Sequence, residues 1–533
     1  MLRSSPVPRD HLLLPSHPTP NGRLHLGHIA GPYLKMDVLK RALQRRGGRV
    51  SMMFAIDSYD SYILLRAYQS KANPTDVVAR YKQEIIDDLV SLDINIDVFI
   101  DPLAEEWSNT YRETLVESLA ALQSAGALVT RSESFLWCPT SSRFIVGCWL
   151  QGRCPGCGCD AGGYSCESCG SHYRPEEVLD SHSRMNEGPV EQIKVRTIFL
   201  QIQKIAEFRN CIDEMAMPDS FRRIIRQYLD RSGPSLRVTV PGSWGIPIAV
   251  DEEPRPQVAF TGFASLGLLL TYGREYSRRF GGSNAFHFES DVVTVCSFGI
   301  DNTVSRIISC IGGTLEYPDH RPPDHLLLNH FYRLEGSKFS TSRGHAIWAS
   351  AIANITPFLS DAVRLYLIET APDATETDFR VDDFLKTANN LNKQWNLAIA
   401  KAVAAIANTR QSQKAPDGIT RTVAKVLDTQ DNFLNLGSFR PRNIPEPIYQ
   451  WMIDQSLFSG EAQYWWLKGL SLIAWPVLPK LSGWLWKHLG HDGVPSESEY
   501  LKLTTPDRDF GFEPLEPITL EHLRECLPLS VHL

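Results

Sequence analysis

Two histidines three residues apart, His25 and His28, bracket Leu26 and Gly27 just after a Pro20-Asn21-Gly22 turn. An apolar run from Leu12 to Leu14 precedes the turn, and a helical stretch from Ile29 to about Arg46 follows it. Such a strand, turn and helix puts both imidazoles at a helix N-terminus, where free N–H groups and the dipole favour a phosphate. Both rings can donate to phosphate oxygens, and Gly27 lets a nucleotide approach the backbone. Far downstream, Lys338-Phe339-Ser340-Thr341-Ser342 and Arg343 lie in a cationic loop rich in Gly and Ser, from Glu335 to Gly344. That loop is suited to closing over a polyphosphate. Paired histidines at a helix start are often structural, so the meaning comes from the order, the flanking turn and the distant loop together.

A second chemistry lies in the cysteines. Seven of the 11 fall between Cys138 and Cys169, and Cys211, Cys296, Cys310 and Cys526 are scattered as small apolar residues would be. Cys154 with Cys157 and Cys166 with Cys169 form two C-x-x-C pairs separated by eight residues, with Gly158 and Gly170 relieving the backbone after each. Four thiolates at this spacing fit a closed structural Zn²⁺ site without a catalytic role. Cys159 is the rival for a ligand position but lacks the matching spacing. Cys138 and Cys148 mark either a degenerate second knuckle or, the better reading, ordinary thiols.

The elements that must position these groups alternate between strand and helix. Val50 to Ile56 is a strand candidate ending at Asp57, and Val77 to Leu92 and Trp107 to Ala125 carry helical spacing. A parallel sheet with ligands at the carboxyl ends of its strands would bring His25 and Asp57 together. The sheet is expected to resume with Val258 to Phe260 and Val292 to Phe298. Helical spacing returns from Phe358 and dominates Leu385 to Ala407, Ile448 to Trp475 and Leu481 to His488, with residues 410–447 as connections. The expected division is 1–120 and 241–350 as the two halves of a Rossmann-like catalytic domain. Residues 121–240 form a connecting insertion with a knuckle at 138–172, and 351–533 form a helical domain.

The whole chain has 533 residues, 22% charged and 43% hydrophobic, with a net charge of −7. That is an ordinary globular balance, long enough for several cores. The charge argues against an enzyme dominated by nucleic-acid binding without excluding a local basic face. No apolar run reaches the ~18 residues of a membrane span, and the N-terminus lacks a signal pattern, so a cytoplasmic protein with no membrane partner is expected.

The histidine and lysine segments resemble the HIGH and KMSKS motifs of class I aminoacyl-tRNA synthetases. The resemblance is specific to methionyl-tRNA synthetases and runs through most of the chain. Trp244-Gly245-Ile246-Pro247 resembles their W-G-I-P element, Phe298-Gly299-Ile300-Asp301 their I-G-K-D, and Pro476 to Leu481 a segment of their helical domain. The resemblance implies an α/β class I fold with a zinc-knuckle insertion and a C-terminal helical bundle. It implies ATP-dependent formation of an aminoacyl-adenylate, with Mg²⁺ on the phosphates. His25, His28 and Lys338 would be catalytic, with Lys338, helped by Arg343, holding pyrophosphate. Gly27, Gly299, Asp301, Ser340, Ser342 and Arg343 would hold ATP, Asp301 through the ribose. Asp57 would hold the amino-acid ammonium; for either aspartate a structural cap is the alternative.

The departures gather where methionine and tRNA would be read. The family's G-T-D-E-H-G is Ala55 to Asp60 here and keeps only Asp57. Thr261 and Thr19 stand where the family has an aromatic tryptophan and tyrosine. Each buried large side chain is worth about 1.5–3 kcal/mol of apolar contact, so such a pocket holds a thioether poorly. Arg306 aligns with the pocket histidine. A guanidinium there makes sense if the substrate carries its own carboxylate or another acceptor, and equally if Arg306 pairs with a protein carboxylate. The anticodon element N-x-x-x-R keeps Asn396 but has Ala400 for arginine. The A-P-W element has no counterpart, and the nearby tryptophans from Trp451 to Trp486 suit a core better than a base-stacking platform. Thr341 replaces the second lysine of KMSKS.

The leading reading is a ligase that adenylates an amino acid other than methionine and passes it to a small-molecule acceptor. Hydrazine-forming synthetases, which work with a cupin-type partner enzyme, are one such type; no cupin metal cluster is visible here, so that partner would be separate. The alternatives are a genuine methionyl-tRNA synthetase charging tRNA, and a non-catalytic tRNA- or protein-binding paralogue.

Overall fold

A computed structural model describes residues 2–3, 8–166, 168–185, 188–341, 343–408, 414–454, 462–506 and 513–531. Five strands form a parallel sheet: β1 (His11–Pro15), β2 (Val50–Ala55), β3 (Val98–Ile100), β4 (Val293–Gly299) and β5 (His325–Asn329), in the order β5-β4-β1-β2-β3. β1, β2 and nearly all of β4 are buried, as expected for apolar runs covered on both faces. The chain winds outward from β1 to β3, then returns to β4 on the other side. A crevice therefore opens at the carboxyl ends of β1 and β4, the switch point at which such sheets bind ligands.

The helical run after β1 spans Leu26 to Arg45 but widens into a π-type turn over Ile29–Tyr33, where Pro32 has no N–H to give. The helices Pro74–Ser91 and Glu105–Ser124 fall where apolar spacing places them. Two expectations need correction. Gln257–Ala259 is a strand, yet it pairs antiparallel with Thr239–Pro241 in a separate ladder and does not join the parallel sheet. Residues 410–447 hold the helix Asp417–Phe433, whose apolar face (Ile419, Val423, Leu427) is buried. Its polar content had hidden a spacing of four.

The insertion pairs Leu128–Cys138 with Glu191–Gln201 in an antiparallel sheet and carries a three-stranded unit, Leu150–Arg153 between Asp160–Gly162 and Leu179–Ser183. In the C-terminal part, helices Val381–Asn408, Gln463–Ala474 and Pro479–His488 pack around Trp395, Trp465, Trp466 and Trp486, all fully buried. These tryptophans are core. The buried Arg364 joins this part to the sheet: it pairs with Asp37 at 2.7 Å and donates to the carbonyls of Leu92, Pro476 and Val477. The tail runs back along Val381–Asn408, where Asn389 and Asn396 each bond both the N–H and C=O of one tail residue, Ile518 and Leu515. Among the described residues no helix is long and apolar enough to cross a membrane.

Candidate active site

The two sequence segments meet as a ladder of rings. His28 stacks on His25 with centroids 3.7 Å apart, His25 on Phe339 at 4.7 Å, and Phe339 lies parallel to Tyr332 at 6.2 Å. The ladder is braced by backbone bonds, Leu26 N–H to Ile347 C=O and Ala349 N–H to Leu24 C=O. Gly27 is needed for a reason the sequence does not display: a Cβ there would stand 2.9 Å from the Phe339 ring and 3.0 Å from His25. Likewise a Cβ on Gly22 would meet Thr341 at 2.9 Å, so the downstream loop lies folded onto the first turn.

Each histidine accepts the other's backbone N–H at Nδ1, at 3.3 Å. In the neutral rings the proton therefore sits on Nε2. Burial keeps both rings neutral, with His25 held well below the usual histidine value and His28 pushed down to about 4. Lys338 adds to the effect on both, and its Nζ lies 4.4 Å over the Phe331 ring. The arrangement is two neutral N–H donors and one ammonium on the wall of one cleft.

That cleft, about 590 Å³, is lined by His25, Gly27, His28, Asp57, Gly299 and Asp301 together with Thr19, Thr261, Arg306, Lys338 and Ser340. Arg343 is exposed and is not among the lining residues, and Ser342 lies outside the described residues. Asp57 follows β2 and is half-buried. Desolvation, with Asp60 second, raises its carboxyl to about 8. Asp60 went unnoticed in the sequence: its carboxylate accepts the Tyr62 N–H at 2.8 Å and the Thr19 hydroxyl at 3.0 Å. Asp60 thus holds the first N–H of the following helix, while the Asp57 carboxylate takes the Tyr59 N–H. Arg306 donates to Nε2 of His17 at 2.6 Å, a partner the sequence did not single out. Thr261 opens the helix Thr261–Phe280 at the cleft wall.

Asp301 follows β4, its carboxylate folded over Gly299 and bonded by the Asn302 amide at 3.1 Å. Its carbonyl accepts from His172 Nε2 at 3.0 Å, which ties it to the cysteine insertion. There the thiols of Cys154, Cys157, Cys166 and Cys169 lie within 4.8 Å of one another, with closest pairs at 3.7 and 3.8 Å. Tetrahedral Zn²⁺ with bonds of about 2.3 Å needs sulfur separations of about 3.8 Å, so the residues fit the ion. Both knuckles repeat one geometry: Gly158 and Gly170, at φ of 73° and 72°, return N–H bonds to Cys154 and Cys166. Cys138 and Cys148 are buried outside this cluster, and Cys159 is exposed.

A second cavity of about 1010 Å³, rimmed by Tyr59, Trp137, Phe144, Trp149, Tyr164 and Trp244, adjoins the cleft and shares Asp60, Thr261 and Asp301 with it.

A family model described as tRNA synthetases class I (M) matches residues 13–400. The chain is 28% identical to the methionine–tRNA ligase of Roseiflexus sp. RS-1 over 408 residues, 74% of this chain and 68% of that protein. It is 27% identical to the methionine–tRNA ligase of Methanococcus aeolicus over 375 residues, 69% of this chain and 54% of that one. In fold it resembles Mycobacterium tuberculosis methionyl-tRNA synthetase solved with methionyl-adenylate, at a TM-score of 0.68 and 15% identity, covering 96% of this chain and 99% of the other.

Proposed function

This chain belongs to the class I tRNA synthetases of type M, and on that premise we propose that it activates an amino acid with ATP, the amino acid is not methionine, and the acceptor is a small molecule. In the step proposed, a carboxylate oxygen of the amino acid attacks the α-phosphorus of ATP. The bond from that phosphorus to the bridging oxygen breaks, and pyrophosphate leaves. His25 and His28 donate from Nε2 to phosphate oxygens as negative charge develops, and Lys338 holds the pyrophosphate. Asp301 takes the ribose hydroxyls and Asp57 the α-ammonium; Mg²⁺, when bound, would help neutralise the phosphate charge. The cysteine cluster, loaded with zinc, staples the insertion that holds Asp301 from behind.

The observation that carries the reading is the ring ladder, which fixes two N–H donors and Lys338 on one cleft. The departure from methionine is supported by Thr19 and Thr261 in place of aromatics and by a charged Arg306. The departure from tRNA is supported by Asn396, whose amide is already bonded at both ends to Leu515. The aromatic cavity beside the cleft would seat a small acceptor. A methionine–tRNA ligase is the second reading, favoured by the names of the relatives.

Pyrophosphate exchange across the amino acids, followed by charging of total tRNA, separates the two. Exchange with an amino acid other than methionine and no charged tRNA is expected. Methionine-dependent exchange followed by tRNA charging would establish the second reading instead.

A further inference from the structure

Arg306 ends the short helix Thr303–Arg306 on the inner wall of the cleft, and its positive charge meets no protein carboxylate in an ion pair among the described residues. One guanidinium arm donates to His17, a neutral ring that contributes no compensating charge. The Nε atom is buried without a hydrogen-bond partner. Asp57 senses the charge through space but lies outside ion-pair contact. A buried cation left in this state is costly, and proteins normally answer it with an anion.

Beside Arg306 lies a small pocket of about 30 Å³, bounded by His17, Leu269, Tyr272, Cys296 and Cys310, which shares His17 and Arg306 with the cleft. A single water needs roughly 10–15 Å³ on this measure, so the space suits about two oxygen-sized atoms. Tyr272 is 3% exposed, and its hydroxyl meets no side-chain hydrogen-bond partner. Two buried donor residues therefore border one small void: the Arg306 guanidinium meets only the neutral His17 ring and the Cys310 thiol, with Nε unpartnered, and the Tyr272 hydroxyl meets only the Ala55 backbone. Burial keeps the Cys296 and Cys310 thiols protonated, so they add no negative charge.

We propose that the amino acid activated here has an acidic side chain, whose terminal carboxylate enters this pocket between Arg306 and the Tyr272 hydroxyl. The inference rests on the activation reading and names its substrate class. The α-ammonium then lies on Asp57 and the α-carboxylate faces the phosphates, so the two carboxylates of one substrate are sorted by position. Only the side-chain carboxylate reaches the guanidinium, and the other is left to react. A thioether or an amide in the same place leaves the cation unanswered.

The test is ATP–pyrophosphate exchange by the whole chain with aspartate, glutamate and 2-aminoadipate against glutamine, methionine and glycine. An acidic amino acid is expected to exceed its neutral counterpart by about 100-fold or more in kcat/KM, as sites built around a polar contact discriminate strongly. Arg306→Met should remove that preference, and Tyr272→Phe, which keeps the ring, should lower kcat/KM for the acidic substrate by about tenfold. Strongest exchange with a neutral amino acid, with its ranking unchanged in Arg306→Met, would overturn the inference and leave activation standing. Exchange with none of the amino acids would remove the activation reading and this inference with it.

Discussion

Asp57 shares a buried site with Asp60, and the proposed cycle needs its carboxylate charged. Burial and the neighbouring Asp60 raise its carboxyl to about 8, whereas a salt bridge to an ammonium requires the ionised form. Amino-acid binding at pH 7 should therefore release about one proton. Calorimetry in two buffers of different ionisation enthalpy measures this, and Asp57→Asn should abolish both the binding and the proton. A binding heat independent of buffer would place the ammonium elsewhere. That His25, His28, Lys338, Asp57 and Asp301 would lie together was legible, the first three from their motifs and the two aspartates from the family resemblance, and all five line one cleft. The roles of Asp60, His17 and Phe339 were not, because they arise only from contacts across the fold: an acceptor for the Thr19 hydroxyl, a partner for Arg306, and a ring filling the space Gly27 leaves open. Arg343 stands apart from these. Its charge and place in the loop nominated it, yet its exposed position is not on the cleft wall.

Among the elements, the strands and long helices followed apolar spacing closely, while partnership did not. Gln257–Ala259 reads as a strand in any sheet, and only the pairing tells which. The helix Asp417–Phe433 hid among polar residues because a single buried stripe suffices to hold it. The knuckle was legible from spacing, but its docking was not: Gly170 packs against Ile224 and Ile300, and His172 bonds the Asp301 carbonyl. A structural metal here would therefore bear on the Asp301 side of the cleft, the side proposed for the nucleotide. Cys166→Ser should lower bound zinc and raise the KM for ATP by about tenfold, with a smaller effect on the KM for the amino acid. Equal loss for both substrates would mean that the knuckle supports folding alone.

At the scale of the molecule, buried charges join the parts. Arg364 and Asp37 lock the C-terminal helices to the sheet, and Arg45 reaches Asp431 and Glu497 from within the core. His172 is buried at the junction of insertion and sheet, and desolvation pushes it down to about 4 from an ordinary 6.5. Between those values the unfolded chain binds more protons at this residue than the folded one, so its share of stability falls as pH drops through the window. Urea midpoints of the parent and His172→Gln should therefore differ most above pH 6.5, in the parent's favour, and converge towards pH 4.5. A constant offset would show that the ring is not held neutral.

The central claim is that the ladder of rings and Lys338 form a working activation site, and amino-acid-dependent exchange of labelled pyrophosphate into ATP measures it directly. The account predicts exchange by the parent, with a loss of about 100-fold or more in Lys338→Met and in His28→Ala while both variants stay folded. Undetectable exchange across all amino acids, or exchange undiminished in both variants, would contradict it.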